Sequence, residues 1–555
     1  MAPSRLQAVD VTTLRALLAE WRALLLPSRF EKAQQSSPQT LQLSLRNLRG
    51  THWLELSWQA EAARLHTIGP PPRQGDGSTL AQQLQHGLRG LALVEIRQEG
   101  WERVVELGFA PRPEEPVLGW LVVELMGRHS NLLLLDAGRQ VVALARQVKQ
   151  SQSRLRPIGT GDPYQPPPPL GGEPPRLEES FESWHRRLTL VPVPLQQALC
   201  DAYQAMSPAL LRQLLPPGWG VLEVGRLSPA QWQQLWQLWR QWLSAVAGEQ
   251  FCWRIEPEGY RCWGNPCPPE PLGVNRGLAA YFSQQLEASA LMQQRQQLRQ
   301  RLQAVVSRES RRAHELEILL AAVAEADGLQ RRADALLSQP QPSRQCIEAA
   351  QKLYKTARKR RRSVAAIAPR LELHHQRLAW LEASLTYLDQ AENLSQVQGL
   401  AADLEAMGGG FGPNAAPRRA RSGSGVEGVP QPLELLTASG LPLQVGRNHR
   451  QNDWIALRQA RRGDLWFHAQ EVPGSHVVLK SSQQPANEGD LQAAADLAAH
   501  FSRGRGNIRV PVVMVPTEDL QRIPGAAPGT VRHRGGTVLW GEPQRALDLL
   551  AAVSP

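Results

Sequence analysis

Residues 285–405 constrain the fold most. Leu291, Leu298 and Val305 fall seven apart, and Leu302, Leu316 and Val323 continue the pattern with gaps. Pro340 and Pro342 end this run. A second starts near Cys346 and extends to about Glu405, with Leu371, Leu378 and Leu385 on one row and Leu381 and Leu388 on another. Two heptad helices with a single break predict a long antiparallel coiled-coil hairpin. A 50-residue helix is about 75 Å long, which suits a reaching arm and not a substrate pocket. Arg295, Glu309 and Arg312 interrupt the seam, and Pro369 should kink the second helix by removing a backbone donor.

The arm divides the 555 residues into segments. Residues 1–170 mix helix and strand patterns. Leu14, Leu17, Leu18, Trp21 and Leu25 repeat at helical spacing until Pro27. Thr40–Leu45, Thr51–Trp58, Val104–Phe109, Leu118–Met126, Ser130–Asp136 and Val141–Ala145 read as strands of an antiparallel sheet. Residues 171–284 are helix-rich and hold Trp232, Trp236, Trp239 and Trp242. A Gly/Arg linker, 406–435, leads to a β-rich α+β segment, 436–555. The fold class is multidomain α+β.

The chain carries 62 basic and 51 acidic residues, a net charge of +11. The segments ending at 170, 284, 405 and 555 carry +4, −1, +4 and +4, so the excess is distributed and no basic tail carries it. Such a balance favours an extended acidic partner. The preference for Arg over Lys needs no more than a GC-rich genome. Lys352, Lys355, Arg358, Lys359, Arg360, Arg361 and Arg362 put seven cations in eleven residues near the hairpin tip, a candidate rRNA or other phosphate contact.

Five cysteines without C-x-x-C spacing predict free thiols in a reducing compartment. No apolar run reaches the roughly 18 residues of a membrane span, and the first residues lack the apolar core of a secretory signal. Cytoplasm is the expected location, with no membrane partner. No P-loop, G-x-G-x-x-G, convincing nucleophile or metal set is present, so neither cofactor nor metal is expected.

The last segment contains Arg447-Asn448-His449-Arg450-Gln451-Asn452-Asp453, then Asp464-Leu465-Trp466-Phe467-His468, then Pro473-Gly474-Ser475-His476-Val477-Val478-Leu479-Lys480. The last two blocks read as short strands joined by a Pro-Gly turn, with a helix from Asn487 or Glu488 covering them. His468 and His476 would come close, but a third metal ligand is missing.

These blocks resemble the C-terminal domain of the NFACT family of ribosome-quality-control factors. Asn452, Asp464, Trp466, His468, Ser475 and His476 are its motif positions here. Glu124-Leu125-Met126-Gly127-Arg128-His129-Ser130-Asn131 is similar to an N-terminal block of the same family. The resemblance implies an N-terminal tRNA-binding domain (1–170), a helix-hairpin-helix-like domain (171–284), the coiled coil (285–405), a linker and an RNA-binding domain (436–555). It further implies that Asp10, Glu102, Arg103, Arg128 and His129 contact tRNA. Glu102 stands where the family usually has Asp, one methylene shorter, so the tRNA contact changes in reach.

The implied activity is not enzymatic. Such a factor binds an obstructed large (50S) ribosomal subunit carrying peptidyl-tRNA and recruits tRNA, expected to be alanine tRNA. It promotes mRNA-independent C-terminal tailing, and the ribosome supplies peptidyl transfer. Alternatives are an RNA-binding ribosome-associated factor without tailing, a surface fibronectin-binding adhesin, or a DNA glycosylase-like enzyme. The last needs an N-terminal Pro followed by Glu, whereas this chain begins Met1-Ala2-Pro3-Ser4.

Overall fold

The computed structural model describes residues 6–73, 78–264, 267, 272–408, 429–523 and 526–551. They form two units, Met1–Leu286 and Glu287–Pro555.

The first unit begins with a side-chain cap. Asp10 Oδ1 accepts the Thr13 N–H at 2.9 Å and starts α1 (Val11–Leu25). The helical spacing puts Leu14, Leu17, Leu18, Trp21 and Leu25 on one buried face. Each contributes about 1.5–3 kcal/mol by leaving water.

That face covers a nine-stranded antiparallel sheet of β1 (Ser28–Ser37), β2 (Thr40–Asn47), β3 (Gly50–Ser57), β4 (Arg64–Ile68), β5 (Ala92–Arg97), β6 (Val104–Ala110), β7 (Gly119–Glu124), β8 (Asn131–Asp136) and β9 (Val141–Leu144). The order is β4-β3-β2-β1-β5-β6-β7-β8-β9, and α2 (Thr79–Gly87) lies in the β4–β5 connection. The predicted strands are present. The sequence reading missed β1, β4 and β5. Strand β1, SRFEKAQQSS, lacks a clear alternation, and pairing with β2 and β5 holds it in the sheet.

A buried ion pair closes the far end of this sheet. Glu124, 1% exposed, accepts both terminal nitrogens of Arg156 and the Tyr164 hydroxyl. Those bonds anchor residues 156–164 to β7.

Helices α3 (Phe181–Leu188), α4 (Leu195–Ala202), α5 (Pro208–Leu214) and α6 (Pro229–Ala247) pack through Trp184, Trp232, Trp239 and Trp242. The two-stranded ribbon of β10 (Arg254–Glu256) and β11 (Gly259–Arg261) was not expected in this helical segment. The expectation of five free thiols is corrected as well. Cys252 and Cys267 are joined as a disulfide, with Cα atoms 5.9 Å apart, while Cys200, Cys262 and Cys346 are free. Spacing alone gives no hint of that pairing across the ribbon.

Helix α7 (Val274–Ala324) starts eleven residues before the expected boundary, because Val274, Leu278, Tyr281 and Phe282 fill the first unit's core. It is followed by α8 (Ala326–Leu337), α9 (Arg344–Gln390) and α10 (Leu394–Gly408). Two expected single helices are thus each divided, at Glu325 and after Gln390. Pro369 does not end α9. The carbonyl it leaves without a donor, that of Ala365, belongs to an exposed residue.

The long helices lie antiparallel. The contacts Arg299–Asp389, Glu309–His374, Asp327–Arg361 and Asp334–Tyr354 each join residue numbers of nearly constant total. Leu298 and Leu302 pack with Trp380, Leu381, Tyr387 and Leu388. Farther out the buried positions are small: Ala313, Ala326, Ala333, Ala350 and Ala357. A leucine heptad seam therefore does not run the whole arm. Glu309, read as an interruption, is fully buried and meets Arg312 at 2.9 Å and His374 at 2.6 Å.

The second sheet has six antiparallel strands in the order β12 (Leu433–Leu436), β13 (Pro442–Val445), β15 (Val477–Leu479), β14 (Leu465–Ala469), β16 (Val510–Pro516) and β19 (Thr537–Gly541). Helix α12 (Glu488–His500), capped by Asn487, covers one face. A short helix α11 (His449–Asp453), a π-turn over Trp454–Arg458 and the ribbon of β17 (Leu520–Arg522) and β18 (Val531–His533) lie on the other. Most of the expected linker, 409–428, lies outside the described residues.

Arg156→Ala should cost about 3 kcal/mol, because it strands the Glu124 carboxylate in the interior. The urea midpoint of the full chain, followed by tryptophan fluorescence, should fall accordingly; an unchanged midpoint would refute the role of this pair.

Candidate nucleic-acid interface

Three sets of predicted residues have distinct surroundings. The first set lies in the N-terminal unit. Asp10 is 5% exposed and committed on both oxygens. Oδ1 holds Thr13, and Oδ2 accepts the Ser207 hydroxyl at 2.8 Å, where Ser207 caps α5. Asp10 therefore ties the start of α1 to the helical layer. A cavity of 490 Å³ opens beside it, lined by Asp10, Arg103, Leu170, Tyr203, Gln204 and Ser207 among others.

Arg103 is half-buried there, and its guanidinium makes no hydrogen bond or ion pair with the described residues. Its neighbour Glu102 does not line the cavity. Instead, Glu102 Oε1 accepts the Leu170 N–H at 2.9 Å and fixes one wall. The extra methylene of Glu over Asp is thus used to reach Leu170.

Arg128 and His129 are exposed on a single 3₁₀ turn, with Arg128 Nε donating to His129 Nε2 at 3.0 Å. Gly127 makes this turn at φ +56°, a backbone geometry that favours glycine. Neither Arg128 nor His129 lines the Asp10–Arg103 cavity. Asn131 is structural: its Oδ1 accepts the Arg146 N–H at 2.9 Å, joining β8 to the chain after β9.

The cationic run of α9 is less free than its sequence suggests. Arg360 pairs with Glu325 at 2.7 Å and Arg361 with Asp327 at 2.5 Å, both acids lying where α7 gives way to α8. No ion pair joins Lys352, Lys355, Arg358, Lys359 or Arg362 to the described residues. The acidic partners come from about 35 positions away, so no local pattern could reveal them.

The C-terminal motifs do two jobs. Strand parity sends Phe467, Val477 and Leu479 to the α12 face and Trp466 and Val478 to the other. The register Leu465↔Leu479, Trp466↔Val478, Phe467↔Val477 carried one step further sets His468 opposite His476. Their rings are 5.4 Å apart, and Trp466 stacks parallel to His468 at 5.6 Å. Trp466 Nε1, Ser475 Oγ and His476 Nδ1 are buried without a partner among the described residues. Among those residues, no group of three or more His, Cys, Asp or Glu is placed to hold a metal.

Asp464 is fully buried. Burial pushes its carboxyl up, but the N–H groups of Arg461 and Ser482 and the Lys480 ammonium outweigh this and hold it below the usual range.

The other job is docking onto α9. Asn452 Nδ2 donates to the Tyr387 hydroxyl at 2.7 Å, and that hydroxyl donates to the Gly474 carbonyl at 2.8 Å. Asn452 Oδ1 accepts the His476 N–H at 3.1 Å. His449 stacks on Trp380 at 4.2 Å and bonds Ser384 at 2.8 Å. Arg447 donates to the Gln390 carbonyl at 2.9 Å. A Cβ on Gly446 would collide with the Asn452 side chain, which accounts for the glycine before Arg447. The sequence reading missed His449, Tyr387 and Trp380; heptad register marks Tyr387 only as a helix position, not as a donor to a strand turn.

The NFACT N-terminal and middle domains match residues 10–341 and 339–410. The NFACT protein RNA binding domain matches residues 434–535. The chain belongs to the NFACT family. It is 26% identical over 561 residues to the Rqc2 homolog RqcH of Streptococcus suis, covering 95% of this chain and 96% of that protein. The Bacillus subtilis Rqc2 homolog RqcH is 23% identical over 487 residues, covering 81% and 83%. Among solved structures, the C-terminal part of the fibronectin/fibrinogen-binding protein from Streptococcus suis aligns at 27% identity and TM-score 0.39, covering 47% of this chain and 98% of that one. The N-terminal part of the same protein aligns at 22% and 0.41, covering 50% and 100%. Among the described residues, no helix is long and apolar enough to cross a membrane.

Two buried histidines, His449 and His476, and the half-buried His468 give the NFACT RNA-binding domain a pH signature. Burial pushes His449 down to about 3 and His468 to about 4, and holds His476 well below its usual value. Each is neutral when folded and binds a proton more readily when unfolded, so stability is full above about pH 6.5 and falls as pH drops below it. Between pH 7 and 5 His449 and His468 should each remove up to about 2 kcal/mol, and His476 acts in the same direction. Urea midpoints at pH 7 and 5 check this, and His449→Gln should lessen the loss.

Proposed function

We propose that this NFACT protein is a ribosome-quality-control factor of the RqcH kind. It binds an obstructed large ribosomal subunit that carries peptidyl-tRNA, recruits tRNA, alanine tRNA in the first instance, and promotes mRNA-independent C-terminal tailing of the stalled chain. The ribosome performs peptidyl transfer, and the protein contributes binding and positioning. The observation that carries this reading is Arg103: a half-buried guanidinium, unpaired among the described residues, facing a cavity whose walls are fixed by Asp10 and Glu102. A guanidinium held without an internal partner is preorganised for two parallel bonds to a phosphate or a base edge. Asp10 acts in this reading as the residue that sets the cavity, because both its oxygens are in use.

The domain division follows the same reading: 1–170 for tRNA, 171–284 as its helical support, 285–405 as a coiled-coil arm, and 436–555 for RNA. Lys352, Lys355, Arg358, Lys359 and Arg362 would meet rRNA phosphates, in salt-dependent contacts without sequence information. Arg360 and Arg361 contribute less, since binding would first break ion pairs. Arg128 and His129 offer a separate exposed contact to tRNA. A cytoplasmic location fits a ribosomal partner.

A second reading, an RNA-binding ribosome-associated factor without tailing, is favoured by one observation. One oxygen of the Glu102 carboxylate already accepts the Leu170 N–H, which ties this side chain to the cavity wall and not to the cavity's interior.

Tagged protein purified at low salt should bring down 50S subunits and tRNA, with alanine tRNA enriched. Arg103→Ala should lower the tRNA yield about tenfold, the worth of one charged bidentate contact, and leave 50S recovery unchanged. An eluate free of both RNAs would overturn the reading. Recovery of tRNA without alanine tails on a stalled reporter, read by mass spectrometry, would select the second reading.

A further inference from the structure

A second cavity, larger than the one at Arg103, opens elsewhere on the N-terminal unit. Its volume is 840 Å³, within the span typical of small-ligand sites. It lies where the C-terminal ends of α1 and α2 meet the start of β1 and the β2–β3 turn. Its apolar wall includes Leu24, Leu26 and Phe30, and Leu48, wholly exposed, stands at the rim. Four arginines line it, Arg29, Arg46, Arg49 and Arg89, against one carboxylate, Glu31.

Two of these cations are accounted for. Arg46 pairs with Glu31 at 3.5 Å, and Arg49 donates to the Ala23 carbonyl at 3.0 Å, capping α1. The carbonyl ends of two helices attract cations, so arginine there has a structural use. Arg29 and Arg89 have no such use: neither guanidinium makes a hydrogen bond or ion pair with the described residues, and both side chains are exposed. The cavity frame is rigid. Asn47 Nδ2 donates to the Leu24 carbonyl at 2.9 Å, and Gln85 Oε1 accepts the Ala33 N–H at 2.9 Å.

We propose that this cavity binds an unpaired nucleotide of RNA, with its base against the Leu24–Phe30 wall and its phosphates on Arg29 and Arg89. An apolar wall beside unpaired guanidinium groups is what a base and its phosphate require together. A duplex, whose bases are stacked inside, would use the cations but not the wall. A free nucleotide shares this chemistry, and the experiment separates the two. The proposal rests on the family reading only in taking RNA as the partner.

The test titrates the full-length protein into a fluorescent, unstructured oligoribonucleotide and reads anisotropy over a salt series. The double variant Arg29→Ala/Arg89→Ala should bind about tenfold more weakly, with a salt slope shallower by about 1.4, as expected for two lost phosphate contacts to a single strand. Leu48→Glu places an acid at the rim, on a side chain with no packing role, and should weaken binding without altering the melting temperature. AMP that displaces the oligonucleotide as well as its own length-matched strand does would mark a free-nucleotide site. Wild-type affinity and slope in both variants, or no oligonucleotide binding by the wild type, would overturn the proposal. Loss of tRNA recovery with Arg103→Ala but not with Arg29→Ala/Arg89→Ala keeps the two questions apart.

Discussion

The N-terminal unit depends on one buried carboxylate. Asp10 starts α1 through Thr13 and holds the α5 cap through Ser207, residues nearly two hundred positions apart. Removing it would leave one helix end and one hydroxyl unsatisfied together, and the cavity beside Arg103 would lose a wall. A residue the sequence offers as a tRNA contact is thereby also an architectural joint. Asp10 aligns the surface that carries Arg103, whose guanidinium is unpaired among the described residues.

The C-terminal unit uses a comparable economy. Asn452, Tyr387 and Gly474 form a chain of two hydrogen bonds from α11 through α9 to the Pro-Gly turn. His449 adds a stack on Trp380. All these groups are buried, so each bond is costly to leave unmade. The arm and the RNA-binding domain are therefore joined by motif residues whose sequence pattern reads as recognition. The parity of β14 and β15 leaves Trp466, His468 and His476 on the sheet face opposite α12.

Charge shows how tertiary pairing edits a sequence signal. The run from Lys352 to Arg362 reads as seven free cations, yet two of them face acids at the α7–α8 break. Glu309 reads as a flaw in a heptad seam, yet it is a buried hub for Arg312 and His374. Ion pairs between helices depend on which turns face each other. That follows from the antiparallel register, not from local composition.

The sequence by itself determined the α+β class, the long helical arm, most strands of the first sheet and the family. These rest on periodicity and on contiguous motifs, which are local properties. It also offered Arg103 as a candidate contact, through the family resemblance. Only the tertiary structure decided that Asp10 is saturated, that Glu102 is turned to Leu170, that Cys252 pairs with Cys267, and that β1 is a strand at all. Each of these outcomes depends on a partner many residues away. A hydrogen bond, a disulfide or a ladder pairing has no signature until the chain has brought both halves together.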